Sequence, residues 1–391
     1  MGVIFMVLAR RTELEITYKG VNISADVTKD LVKFSYTDNE TGKADDIEIT
    51  LQDRTGRWAR EWMPTLGDKL TAKIKYTSDG RISYLNCGTF TLDEFTNDGS
   101  ASSGTKVSFK GASVPQNNTV RRTQKNRAWE SVRLSEIASD VAATGGLILA
   151  YSTNIDPLFE RKDQNNKSDL QFLKELCEEI ALSLKVTNDQ LVIFNRDDLE
   201  GKDPIGTLIF GSQDVKEWSF TTQNHDTYDE STVEYTDPKT NKKITHTEKD
   251  PKSNSGKKIK KTQRVENKQE AERIAKANLK NKNRKKLTGS ITIIGDPRYV
   301  AGNVVEIIGF GKFDGKFYID KSTHSVGGGY TVSLELSSVL NPKEDKDKKK
   351  ADAKKQAKQK AEKKKQPKVK AKPKPAIKKD LNEDEKWIMR Q

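Results

Sequence analysis

The sequence predicts a mainly β protein in which two similar antiparallel β units flank a small α/β module and a Lys-rich extension follows. Three observations predict this. Short segments of period-two alternation, separated by polar turns, fill residues 1–112 and return in residues 219–341. Helical spacing is confined to the middle and to one later segment. The pattern Gly-x-Phe-x-(Leu/Ile)-Asp occurs twice, as GTFTLD at Gly88–Asp93 and as GKFYID at Gly315–Asp320. Its flanks match as well, since Gly67-Asp68-Lys69-Leu70 and Gly302-Asn303-Val304-Val305 each enter an apolar strand upstream, and an alternating strand follows each downstream. Self-similarity of this kind suggests one β unit used twice, with Phe90 and Phe317 in equivalent places.

The first unit, residues 1–112, rests on Leu14, Ile16 and Tyr18, then Ile47, Ile49 and Leu51, then Leu70, Ala72, Ile74 and Tyr76. Turns at Asp38-Asn39, Thr41-Gly42 and Ser78-Asp79-Gly80 separate them, a spacing expected to close into a small barrel or sandwich. Trp58 and Trp62, beside Arg57 and Arg60, are read as plugs at its mouth rather than as a ligand platform.

In residues 113–218, Leu134, Ile137, Ala138, Val141 and Ala142 take helical spacing that stops at Gly145-Gly146. A second helix starts at a capping box, Ser168 with Gln171, and buries Leu173, Leu176, Cys177 and Ile180. Leu184 and Val186, then Leu191 and Ile193, form a hairpin upon it.

Residues 219–341 open with a strand at Thr232–Tyr235, followed by a long polar loop from Asp237 to Lys261. A basic helix, Lys268–Lys282, turns Ala271, Ile274, Ala275 and Leu279 inward. Strands around Ile291 and Ile293, Val304–Ile308, Phe317–Ile319 and Tyr330–Leu336 complete the second unit. Beyond it, Pro367, Pro373 and Pro375 rule out one continuous helix in residues 342–391. Leu381, Trp387, Ile388 and Met389 give the end the apolar character of a docking peptide, or leave it a frayed terminus.

The charge is segregated. Pro342–Lys379 holds 18 Lys against five acidic residues, a net +13 that equals the whole chain's. Lys239–Lys286 holds 18 Lys or Arg against five acidic residues, so the rest of the body is net acidic. Basic segments of this kind suit acidic or polyanionic partners, or serve solubility alone.

Enzyme chemistry finds little support, and neither catalytic, metal nor cofactor-binding residues are expected. The histidines, His225, His246 and His324, have no zinc spacing, and Cys87 and Cys177 have neither metal nor disulfide spacing. Gly309–Gly315 reads as a turn between strands, and PKSNSGKK at 251–258 lacks the first Gly and final Ser/Thr of a phosphate loop. Val3–Leu8 is too short to cross a bilayer, and Arg10 and Arg11 follow it where a signal peptide needs charge before it. Met6 departs from the myristoylation pattern, so a chain folded in a cytoplasm without membrane insertion is expected.

A resemblance ties these parts together. Gly295-Asp296-Pro297, Ala301-Gly302-Asn303-Val304-Val305, Asp314-Gly315-Lys-Phe317-Tyr-Ile319, His324 and Gly329-Tyr330-Thr-Val-Ser-Leu-Glu-Leu336 form the strongest run. Asp163-Gln164, Ser168-Asp169-Leu-Gln-Phe172-Leu173 and Leu191-Val-Ile-Phe194 add to it, as do Asp53, Trp58, Gly67-Asp68 and Gly88-Thr-Phe90. In this order they resemble the tail hub proteins of contractile-tailed bacteriophages and related contractile injection devices, the late control D family. The resemblance covers most of residues 10–340. It implies two tube-type β-barrels per chain and structural roles for Gly67, Gly88, Phe90, Asp93, Gly295, Asp296, Pro297, Gly302, Gly315, Phe317, Asp320, His324, Gly329 and Tyr330. It further implies a homotrimer, a pseudo-sixfold ring joining the six-fold tail tube protein to the three-fold central spike, in the virion tail baseplate assembled in the host cytoplasm. Baseplate proteins are implied neighbours and the tape measure protein a further candidate. The Lys-rich tail and the long basic loop depart from the family. The competing expectations are a nucleic-acid-binding protein, which the near absence of aromatics in the tail disfavours, and a cell-wall-binding tail component, for which no module is found.

Overall fold

Arg11–Tyr18 (β1) buries Leu14 and Ile16 and leaves the residues between them toward solvent, the period that a half-buried strand imposes. Val21–Asn22 (β2) and Ser24–Asp30 (α1) lead into Leu31–Asn39 (β3), Asp46–Gln52 (β4), Lys69–Ser78 (β5), Arg81–Ser100 (β6) and Gly104–Ala112 (β7). In β5 the alternation is complete, with Leu70, Ala72, Ile74 and Tyr76 inside. The structure, a computed structural model, describes residues 10–339 apart from 103, 114–118, 188, 224–226, 238–240 and 252. The readings placed on residues 3–8, on His225 and on 342–391 lie outside the described residues.

The middle region contains Thr119–Arg122 (α2), Lys125–Arg133 (β8), Leu134–Gly145 (α3), Ile148–Ser152 (β9), Leu158–Lys167 (β10), Asp169–Glu179 (α4), Ser183–Thr187 (β11), Gln190–Phe194 (β12) and Arg196–Glu200 (α5). Both expected helices are there. Gly146 ends α3 in the left-handed region at φ 63°, and the Ser168 hydroxyl accepts the Gln171 N–H to start α4. Their stripes meet β11 and β12 in a core of their own, built around Leu134, Ile137, Leu173, Cys177, Leu191 and Ile193. The β8–β10 pair is not legible in the sequence because only Trp129, Val132 and Phe159 face the core, spaced among polar residues.

Thr207–Ile209 (β13) and Val215–Thr222 (β14) precede an insertion formed by Glu230–Thr236 (β15), Lys243–Lys249 (β16), Lys258–Thr262 (β17) and Lys268–Asn283 (α6). Much of the stretch from Asp237 to Lys261, expected as a loop, is therefore strand. β16 and β17 flank β15, and α6 closes over Val233, Val265, Ala271, Ile274 and Ala275. Each flanking strand carries one isoleucine among Lys, Thr and Glu, so the period of two is present with too little apolar contrast to be seen. Leu287–Ile294 (β18), Val304–Ile308 (β19), Gly315–Val326 (β20) and Tyr330–Ser338 (β21) follow.

The fold class is mainly β with an α/β insertion, as expected. The sheet does not break between the units: thirteen strands run β14-β18-β21-β20-β3-β4-β7-β6-β5-β1-β2, with β19 beside β20 and β13 beside β19. A single apolar cluster extends from Leu14 to Leu336 through both units. The join is the antiparallel pairing of β3 with the far half of β20, Phe34 opposite Val326 through Asn39 opposite Lys321. Alternation specifies which face of a strand is buried; it does not specify which strand covers its edge.

Candidate functional site

The two motifs occupy the same place in two equivalent ladders. Leu70 faces Phe90 across β5 and β6, and Val305 faces Phe317 across β19 and β20. Gly67 N–H donates to Leu92 O at 2.7 Å while Leu92 N–H donates to Asp68 O at 3.0 Å; Gly302 N–H to Ile319 O and Ile319 N–H to Asn303 O, both 2.9 Å, repeat the exchange. Gly67 and Gly302 sit at φ 95° and 89°, where a Cβ is strained, which is why glycine precedes both strands. The ladder shifts register across Asp93 in β6 and across Asp320 in β20, so the motif's aspartate is the bulge residue in each copy.

The match extends to the remaining strands. β4 lies on β7 as β18 lies on β21, and β3 lies on β4 as β14 lies on β18, with a bulge between Leu31 and Lys33 matched by one between Val215 and Glu217. Tyr36 meets Phe90 edge-on at 6.1 Å, and their counterparts Phe220 and Phe317 meet at 5.7 Å.

The other sequence-selected residues gather at one end of the second unit. Gly295 N–H donates to Tyr330 O at 2.8 Å, and a Cβ at Gly295 would lie 2.0 Å from Cγ of the Tyr330 ring, so only glycine lets that ring pass. The Tyr330 hydroxyl is 2.8 Å from His324 Nδ1, and His324 Nε2 donates to Tyr299 O at 3.1 Å. Burial pushes the His324 pKa down to about 4, which leaves the ring neutral and structural. Pro297 lies in the adjoining turn, where Asp296 holds Arg298 at 2.6 Å, and Gly329 lies in the β20–β21 turn.

A buried charge cluster, missed in the sequence, binds the α/β region to both units. Arg196 of α5 reaches Asp320 and Glu200 at 2.7 Å each and Ser337 at 2.6 Å, and lies over the Tyr318 ring at 4.0 Å. Glu40, just past β3, accepts from Ser183 at 3.1 Å and Tyr318 at 3.3 Å. Burial opposes the Arg196 charge, yet Asp320, Glu40 and Glu200 around it hold its pKa above the ordinary value. Burial raises both Asp320 and Glu40 against the pull of Arg196. On the same side, Lys185 of β11 pairs with Asp38 and, at 3.3 Å, with Asp45, whose carboxyl burial pushes up to about 6. The only sequence mark of Arg196 is its i,i+4 spacing to Glu200; the other members come from distant segments.

A cleft of about 1070 Å³ opens beside this cluster, lined by Glu40, Lys174, Arg196, Arg284 and Asp320 among others. Glu40, Arg196, Arg284 and Asp320 are ion-paired at its wall, while Lys261, Lys282 and Lys285 add positive charge to its lining. Cys87 and Cys177 are buried thiols whose pKa values burial raises, Cys177 to about 12, so neither is a nucleophile at neutral pH. Among the described residues no group of acidic, His or Cys side chains is arranged to hold a metal, and no helix is long and apolar enough to cross a membrane.

Comparison with known proteins fits a structural part. Residues 166–337 match the YQBQ-like family. A probable baseplate hub protein of Escherichia phage 186 is 22% identical over 178 residues, 45% of this chain and 43% of the relative, so the match spans under half of that protein. Among solved structures, the 43 kDa tail protein of prophage MuSo2 from Shewanella oneidensis superposes with a TM-score of 0.66 at 14% identity, covering 83% of this chain and 98% of that one. A tail protein from Neisseria meningitidis MC58 gives 0.64 at 15% identity, covering 84% and 96%. Family match, curated relative and shared fold agree in making this chain similar to phage tail and baseplate hub proteins, the likeness that its motifs suggested.

Proposed function

We propose that this structural protein of the tail baseplate acts as its hub, three copies closing a ring of six similar β units between a six-fold tail tube and a three-fold central spike. The observation that carries the proposal is the strand-for-strand repeat, down to the paired glycines and bulged aspartates. Three chains with two equivalent units each present six similar surfaces, so partners of unequal symmetry meet without any chemistry. The proposed division is 1–112, 113–218 and 219–341, with the α/β module outside the ring toward spike or baseplate proteins. Such a part has to hold its shape under load, and the Arg196 cluster supports this by tying α5, β3, β20 and β21 together. The relative is named a probable baseplate hub protein, and the proposed role is non-enzymatic.

The basic stretch does not favour the nucleic-acid reading. Lys243 and Lys260 lie beside Glu234, and Lys249 and Lys258 beside Glu230, so part of its charge is met within its own sheet. Electron microscopy of the particle tests the proposal: three copies in a ring between tube and tip are expected. A protein that sediments as a monomer and ignores the tail tube would sink it.

A further inference from the structure

One edge in each β unit breaks the repeat. In the second unit, β20 is flanked by β19 over its first half and by β3 over its second. In the first unit, β6 is flanked by β5 over its first half, and Glu94–Gly99, the counterpart of the half that β3 covers, pairs only with β7 among the described strands. The counterpart of β3 is β14, which pairs only with β18 among the described strands. Each chain thus carries one completed seam and the two halves of another, on separate edges.

Burial says the same. Phe34 and Tyr36 of β3 are 0% and 5% exposed, whereas Trp218, in the position of Phe34, is 46% exposed. Ser35 and Asp38 are buried in β3, while Ser219 and Thr222 are exposed in β14. An edge strand with an uncovered tryptophan invites another strand.

We propose that β14 of one chain pairs antiparallel with the Glu94–Gly99 edge of a second copy, in the register of the internal β3–β20 seam. This rests on the hub reading and supplies the contact that closes its ring. The internal register, Thr37 opposite Thr323 and Phe34 opposite Val326, places Thr221 opposite Thr96 and Trp218 opposite Gly99 of the neighbour. The volumes compensate: the larger Trp218 replaces Phe34 where the smaller Gly99 replaces Val326. The two half-seams differ, so the contact is head-to-tail, the kind that builds a closed ring rather than a two-fold dimer.

The register is testable by cross-linking. Glu40 N–H donates to Asp320 O at 3.0 Å, which by parity makes Thr37 and Thr323 a non-hydrogen-bonded pair. Such pairs stand about 4.5 Å apart at Cα, within disulfide reach. The full chain carrying Thr96→Cys with Thr221→Cys, oxidised and run on a non-reducing gel, is expected to give a covalent trimer as its major product. Mixing the two single variants should give a covalent dimer, and Thr96→Cys with Ser219→Cys, two residues out of register, should give far less of either. A trimer by sedimentation that does not cross-link at Thr96 and Thr221 overturns the seam and leaves the hub reading standing. Equal cross-linking by the shifted pair overturns the register. A chain that remains monomeric and uncross-linked, with tail tube present or absent, overturns both.

Discussion

The two β units share a backbone and differ in what they carry. Both place a positive-φ glycine before the strand, a phenylalanine on the ladder and an aspartate at the bulge. Asp320 meets a buried arginine, whereas Asp93 has no such partner among the described contacts. The connection from β3 to β4 is a short turn, and the corresponding one from β14 to β18 contains the β15–β17 sheet and α6. His324 stands where the first unit has Asn97, and Gly295 with Tyr330 stands where the first unit has Asp53 with Thr105, joined by the same backbone hydrogen bond at 2.8 Å. The difference teaches that a duplicated sheet must keep the residues that solve its backbone, while its side chains are free to take on separate loads.

The largest effect should come from removing the load that only the second unit bears. Arg196→Met strands the buried carboxylate of Glu40 and the half-buried one of Asp320 and leaves Glu200 to Arg284 alone, and a loss of about 3 kcal/mol is expected in urea unfolding. Asp93→Asn, at the equivalent bulge, should change stability by under about 0.5 kcal/mol. Equal losses would show that the two aspartates bear the same load after all.

Next comes a pH dependence that the first unit cannot have. The folded pKa of His324 is about 4, below its ordinary 6.5, so between those values the unfolded chain binds the extra proton. The stability it permits is full above pH 6.5 and falls as pH drops toward 4, by about 3 kcal/mol. Buried carboxyls with raised pKa values, Asp45, Glu40 and Asp320, act with the opposite sign, so the readout is the difference between wild type and His324→Asn, the first unit's own residue. That difference should vary with pH over this window; a flat one would mean that His324 is already charged or exposed.

Gly295→Ala should cost about 3 kcal/mol, the upper end for overpacking, because the new methyl meets the Tyr330 ring. Adding Tyr330→Thr, which imports the small partner found in the first unit, should recover part of the lost melting temperature. No recovery would place the strain elsewhere. The smallest effect is the most symmetrical one: Gly67→Ala and Gly302→Ala should each cost about 1–2 kcal/mol through backbone strain, and by similar amounts. Unequal costs would break the equivalence of the two turns.

Much of the fold was legible because burial writes itself into a sequence as period. Leu70, Ala72, Ile74 and Tyr76 announce β5, and the Ser168 cap with Leu173, Leu176 and Cys177 announces α4. The strands β8, β10, β16 and β17 were illegible for the converse reason, since each turns only one or two apolar side chains inward, such as Trp129, Phe159 and Ile244, among polar residues. The motif residues were found by repetition, while Glu40 and Lys185 left no local mark and Arg196 only its i,i+4 spacing to Glu200.

The sequence by itself determined the mainly β class, the duplicated motif, the helices and the turns that need glycine, because each follows from neighbours within a few residues. Only the tertiary structure decided that the units share one sheet and core, that β3 rather than solvent covers β20, and that Arg196 meets partners from β20, β21 and the segment just past β3. A strand's faces are set by its own alternation, but its edges and the partners of a buried charge are set by whichever distant segment arrives there.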